Sequence, residues 1–148
     1  MEDLIKRISE LYMKYGIRSV TMDDLARELA ISKKTLYQHF KDKEEVVEKV
    51  MDYHDEQQHK HIESFFDPRN DSYNAIDQLI ELSRFLARHL SDVNHSLTYD
   101  LQKYYPAIWQ KTTQTKRDYI SRNLIKNMEI GIQQGIYSSD LNIEIIAK

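Results

Sequence analysis

The sequence predicts an all-α protein: a compact N-terminal trio of helices followed by an antiparallel helical bundle. Three observations predict it. Apolar residues recur at three- and four-residue spacing along most of the chain, no stretch alternates with period two for long, and capping residues stand just ahead of the apolar runs.

Leu4, Ile8, Leu11, Tyr12 and Tyr15 fall on one helical face, and Gly16 follows where a left-handed C-terminal cap would sit. Thr21 precedes Met22, Leu25, Ala26 and Leu29; its hydroxyl can cap a second helix while Asp24, three residues on, returns to its amide. Ser32 caps a third segment whose Leu36 and Phe40 face inward, and Asp42 with Glu45 repeats the capping-box spacing at the start of a fourth. The fourth helix carries Val46, Val47, Val50 and Met51, then turns polar through Asp55-Glu56-Gln57-Gln58, the pattern of a connector leaving one core and entering another. Asp67-Pro68-Arg69-Asn70-Asp71 is the clearest break, because Pro68 disfavours helix at the residue before it and its neighbours form turns. A fifth helix resumes near Tyr73 with an apolar stripe of Ile76, Leu79, Ile80, Leu86, Ala87 and Leu90. A shorter sixth, with Val93, Leu97, Leu101 and Tyr104, precedes Pro106. From Ile108 and Trp109 through Ile120, Leu124, Met128 and Ile132 the pattern stays helical to Gly135, and Ser138-Ser139-Asp140 can cap a last segment that has barely begun at Lys148.

Composition narrows the function classes. Hydrophobic residues at 41% and charged residues at 30% supply enough apolar surface for a core and too little bias for disorder. Cysteine is absent, which excludes disulfides and thiolate metal sites. Met1-Glu2-Asp3 opens an amphipathic stretch and no apolar run reaches membrane-spanning length, so a cytoplasmic protein without membrane contact is expected. A net charge of −3 argues against coating nucleic acid through bulk positive charge. Locally the balance reverses: residues 31 to 43 set Lys33, Lys34, Lys41 and Lys43 against Asp42 alone, a footprint sized for a few phosphates.

A helix-turn-helix needs a short scaffold helix, a tight turn and a second helix whose exposed start meets the major groove of DNA. Helices two and three fit this description. Leu25, Ala26, Leu29, Ile31 and Leu36 form the shared core, with the small Ala26 allowing close approach, and Lys33, Lys34, Thr35, Tyr37 and Gln38 are left for the outer surface. Lys33, Lys34, Thr35 and Gln38 are the candidate base readers, since lysine donates to guanine, glutamine pairs bidentately with adenine and threonine meets the thymine methyl.

Tyr15-Gly16, then Ser19-Val20-Thr21-Met22-Asp23-Asp24-Leu25-Ala26, then Ile31-Ser32-Lys33-Lys34-Thr35-Leu36-Tyr37-Gln38-His39-Phe40-Lys41-Asp42-Lys43 resembles the TetR family of transcriptional regulators. The resemblance spans roughly residues 5 to 50, and beyond them only the architecture is similar. It implies a DNA-binding domain over 1–46 and a ligand-binding and dimerisation domain over 47–148. It implies further that the third helix enters the major groove while Tyr37, His39 and Lys43 meet backbone phosphates, with Thr21 adding another contact. A phenol, an imidazole N–H and an ammonium near a helix N-terminus are all suited to phosphate oxygens. The family usually carries glycine in the turn where this chain has Ala30; a left-handed alanine there costs roughly 1 kcal/mol, and any other conformation costs nothing.

For the body, the resemblance implies a small-molecule effector site and a homodimer that represses by occluding a palindromic operator. Phe65, Phe85, His89, Tyr99, Tyr104 and Trp109 are the candidate lining, joining apolar walls to polar tips, although the same residue types fill ordinary bundle cores. Family members usually complete the dimer interface with two last helices, so the resemblance leads to a bundle lacking its last helix or helices here.

Other readings remain beside these. Taken alone, the four lysines would be a solvated surface, Tyr37 a core aromatic and His39 an exposed side chain. His54 and His61 lie two turns apart, but position 58 is glutamine and no His-Glu-x-x-His run exists, so no metal and no cofactor is expected. No set of nucleophile, base and orienting group is recognisable and no glycine loop for phosphate, so the chain is not expected to be an enzyme. The rival is an all-helical protein-interaction adaptor that has lost DNA binding; Lys33, Lys34, Tyr37 and Lys43 speak against it.

Overall fold

The computed structural model describes residues 1–66, 74–91 and 95–142, and for 89–91 the backbone only. The expected break at Asp67–Asp71, Tyr73, Val93, the side chains of His89 and Leu90, and the last segment toward Lys148 lie outside the described residues. The described residues form helices α1 (Glu2–Tyr15), α2 (Met22–Glu28), α3 (Lys33–His39), α4 (Lys43–Phe65), α5 (Ala75–Ser91), α6 (His95–Tyr104) and α7 (Pro106–Gln133), with no strand among them. They group into two compact units, Met1–Glu56 with Val93–Thr112 and Gln57–Asp92 with Thr113–Lys148. The continuous helix α4 passes from one to the other at Glu56 and Gln57, where its sequence turns polar.

The first unit is built on the apolar positions of α1 to α4. Ile8, Tyr12, Leu25, Leu36, Val46 and Val47 are fully buried in one cluster, and Leu101 of α6 and Ile108 of α7 join it. Burial of this size is the dominant stabilising term for such a unit. The Tyr12 phenol is buried without a hydrogen-bond partner, and burial, with Tyr105 nearby, raises its pKa. Gly16 donates to the Tyr12 carbonyl at 2.9 Å. It differs from the expected left-handed cap: at φ 80° and ψ 155° its backbone is extended with positive φ, a region only glycine enters readily, which sends the chain straight on to the buried Ile17 and Val20. Tyr15, expected on the inner face, is 52% exposed and carries the Lys14 ammonium 4.9 Å from its ring centre.

Helix α6 is fastened to the connection between α1 and α2. The buried Asp100 carboxylate accepts the backbone N–H of Arg18 at 2.9 Å, and Leu97 and Leu101 of the same helix pack on the core. At the start of α7, Lys111 pairs with Glu48 at 2.8 Å and Asp52 at 3.1 Å; pairs this exposed contribute little.

The second unit has a smaller apolar cluster of Ile62, Phe66, Leu82 and Tyr119. Its inner faces depart from the hydrophobic pattern. On α5 the buried positions are Ala75, Gln78 and Leu82, whereas Ile76 and Ile80 are exposed. On α7 Tyr119, Asn123, Asn127 and Gly131 are buried at four-residue spacing, and Ile120, Leu124, Met128 and Ile132 are half-buried. The physical reason is a satisfied polar set. Asn127 donates to the Ala75 carbonyl at 2.7 Å and to Gln78 Oε1 at 3.3 Å, Tyr137 donates to Asn127 Oδ1 at 3.2 Å, and Gln134 Oε1 accepts the Ala75 N–H at 2.9 Å. Buried amides that meet their partners replace aliphatic side chains at little cost. Helix α5 begins at Ala75, capped by Asn74, whose side chain accepts the N–H groups of Ile76 and Asp77. Glycine ends α7: Gly135 has φ 70°, and Ile136 and Tyr137 both donate back to the Gly131 carbonyl.

Candidate nucleic-acid interface

Helix α2 is set by a complete capping box. The Thr21 hydroxyl accepts the Asp24 N–H at 3.1 Å, Asp24 accepts the Thr21 N–H at 2.9 Å, and the hydroxyl itself donates to Asp24 at 2.6 Å. Arg27 pairs with the same carboxylate at 2.6 Å. These bonds hold the Asp24 carboxyl at about 2, below the ordinary carboxylate value. They also commit the hydroxyl proton of Thr21, one of the expected phosphate donors.

The turn into α3 runs through Ala30 at φ 55°, the only non-glycine residue at positive φ among those described. Ala30 donates to the Arg27 carbonyl at 3.1 Å and Ile31 to that of Ala26 at 3.0 Å, closing the end of α2. The turn therefore does take the left-handed conformation, with alanine where glycine is usual.

Helix α3 is capped by Ser32, which accepts the Thr35 N–H at 3.0 Å. Its one buried residue, Leu36, anchors it to the core. Lys33, Lys34, Tyr37 and Gln38 occupy a single exposed face, one turn apart in pairs. Thr35 sits at the side of that face, its hydroxyl bonded to Ser32 at 2.8 Å. His39 is exposed at the end of the helix, its ring 6.4 Å from that of Phe40 in an edge-on arrangement. Lys33 pairs with Asp23 of α2 at 2.6 Å, both side chains exposed, and Asp23 raises its pKa. An exposed pair of this kind contributes little to stability.

Lys43 begins α4 and is half-buried. Burial pulls its pKa down, while the Asp100 and Asp24 carboxylates hold it up. The pairing of Asp23 with Lys33 joins two helices and has no local signal in the sequence.

The candidate effector residues are divided between the two units. Phe65 and Phe85 lie in the second unit with ring centres 6.2 Å apart, and His61 packs on both at 5.1 Å. Tyr99 and Tyr104 belong to the first unit and are exposed, and Trp109 packs partly buried against the core of that unit. The side chain of His89 lies outside the described residues. His54 is bonded to Ser9 at 2.7 Å and His59 stacks on Tyr119 at 3.7 Å. Among the described residues no three metal-ligating side chains gather, and no helix is long and apolar enough to cross a membrane.

A short buried-core helix, a left-handed turn and a second helix with one polar basic face define a helix-turn-helix protein. Residues 4–50 match the family model described as bacterial regulatory proteins, tetR family. Among solved structures, a putative TetR-family transcriptional regulator from Mesorhizobium loti aligns with a TM-score of 0.76 at 18% identity, over 97% of this chain and 73% of that one. The TetR-family regulator PfmR from Thermus thermophilus aligns with 0.66 at 20% identity, over 97% and 78%. FadR from Bacillus subtilis, in complex with stearoyl-CoA, aligns with 0.61 at 16% identity, over 97% and 77%. No curated protein matches the chain. Residues 4–50 thus match the tetR family model, and the chain as a whole has the fold seen in structures of TetR-family transcriptional regulators.

Proposed function

We propose that the chain is a ligand-responsive repressor that binds a palindromic operator as a homodimer, with residues 1–46 as the reading domain and 47–148 as the effector-binding and dimerisation body. The observation that carries the reading is the α3 face itself, on which Lys33, Lys34, Tyr37 and Gln38 stand exposed above the buried Leu36. In this reading Lys33, Lys34, Thr35 and Gln38 meet base edges, and Tyr37, His39 and Lys43 donate to phosphates. Thr21 reaches a phosphate only by giving up its bond to Asp24. The two α3 helices of a dimer would lie about 34–36 Å apart, one turn of DNA. The cytoplasm is the matching compartment.

The effector site of this reading is the Phe65 and Phe85 end of the second unit, whose apolar rings suit an apolar ligand. The similarity to FadR, solved in complex with stearoyl-CoA, supports a small-molecule effector for the body. Helix α4 carries both Lys43 and Phe65, so a ligand that favours a DNA-incompetent position of this helix weakens operator binding by its differential affinity.

The test is selection of bound duplexes from a random-sequence pool, beside a Tyr37→Ala/Lys43→Ala variant. The reading expects a palindromic site to be enriched by the wild type and lost in the variant. A folded protein that enriches nothing would return the adaptor reading to the front.

A further inference from the structure

A second cationic patch lies in the first unit, outside the helix-turn-helix. The Arg18 guanidinium stands 5.2 Å from the centre of the Tyr104 ring and the Lys103 ammonium 5.5 Å from the same centre. Lys103 also donates to the Tyr99 hydroxyl at 2.7 Å and lies 5.1 Å from that ring. Tyr99 and Tyr104 are exposed, as are Arg18 and Lys103. Neither cation forms an ion pair with a carboxylate among the described residues. Two like charges on one aromatic ring repel each other, and the ring faces offset part of that repulsion. An anion placed between them would remove the rest.

The position of the patch selects the anion. Asp100, one turn before Tyr104 on α6, binds the Arg18 N–H. Arg18 stands three residues before Thr21. The patch therefore stands beside the segment that leads into the α2 cap at Thr21, and two phenol hydroxyls and two cations are donors suited to phosphate oxygens.

We propose that Arg18 and Lys103, held on the Tyr104 ring, contact the DNA sugar–phosphate backbone beyond the helix-turn-helix and lengthen the footprint of each subunit. The inference rests on the DNA-binding reading above and adds to it a contact from α6. It supplies affinity without sequence preference, because phosphates carry no base identity.

The test measures binding to a random-sequence duplex of about 30 base pairs, long enough for two half-sites a turn apart, across a salt series. The wild type is compared with Arg18→Gln/Lys103→Gln, with the conservative Arg18→Lys/Lys103→Arg, and with Arg122→Gln/Lys126→Gln, which removes the same charge from the second unit. Each lost phosphate contact lowers the slope of log K against log salt by roughly 0.9, so the first variant should lose about 2 per subunit. The conservative pair should keep the wild-type slope, and so should the charge control. An unchanged slope in the first variant, or an equal fall in the charge control, overturns the patch while leaving the DNA-binding reading in place. Absence of wild-type binding overturns both. Thermal melts followed by circular dichroism confirm that each variant is folded.

Discussion

Ala30 holds the turn between α2 and α3 at φ 55°, where a Cβ crowds the following carbonyl. Relief of that strain is worth about 1–2 kcal/mol, and the greater freedom of an unfolded glycine takes back about 0.4–1. Ala30→Gly is therefore expected to raise stability by about 0.5–1 kcal/mol, read as a higher denaturation midpoint at unchanged m-value. A lower midpoint would mean that the turn is not strained. At Asp24 the bonds from Thr21, with the Arg27 pair, depress the carboxyl to about 2. A carboxylate with a lower pKa folded than unfolded stabilises the fold above its unfolded value, near ~4, and that contribution disappears as pH falls through about 2. Acid titration of helical content should therefore show a steeper loss over this window in the wild type than in Asp24→Asn. Equal slopes would count against the capping box as an electrostatic element. The capping residues were legible in the sequence because Thr21, Asp24 and Ser32 act over three residues; the ion pair of Lys33 with Asp23 was not, since it depends on how α2 and α3 cross.

Among the elements, the C-terminal end of α7 is closed in part by the packing of Tyr137 on Gly131. The Tyr137 ring folds over Gly131 so closely that a Cβ there would collide with the Cδ2–Cε2 edge of the ring. Gly131→Ala is expected to cost about 1–3 kcal/mol through overpacking, visible as a lower melting temperature and restored in part by Tyr137→Ala in the same chain. A neutral substitution would show that the turn over 134–137 is not fixed. The boundaries of α1, α2 and α3 follow from Gly16, Thr21 and Ser32, each read correctly as punctuation, although Gly16 takes an extended backbone instead of a helical cap. The faces of α5 and α7 were read in part: Leu86 and Leu124 pack against the core of the second unit, while most of the buried positions lie one residue before the apolar stripe. Hydrophobicity marks Ile76, Ile80 and Ile120 as core, yet Gln78, Asn123 and Asn127 take the inner positions because their amides find partners in Ala75, Tyr119 and Tyr137. Such exchanges depend on tertiary neighbours and leave no periodic trace.

At the scale of the molecule, the helical class and the helix-turn-helix were readable from periodicity and from an ordered run of residues at fixed spacing, and residues 4–50 match the tetR family. The recruitment of α6 and the start of α7 into the same unit as the reading helices was not readable, because it rests on Asp100 and Leu101 meeting residues far away in the chain, Arg18 among them. The central claim is that the exposed face of α3 reads sequence. Gln38 tests it most directly, since it can pair with a base yet carries no charge and its loss leaves the phosphate donors in place. Sites would be selected from random duplexes by the wild type and by Gln38→Ala in parallel. The account predicts that the variant relaxes preference at one or two positions of each half-site while keeping the spacing of the halves, at a cost of about 1–3 kcal/mol on the original site. A motif unchanged at every position in the variant, with equal affinity, would contradict it.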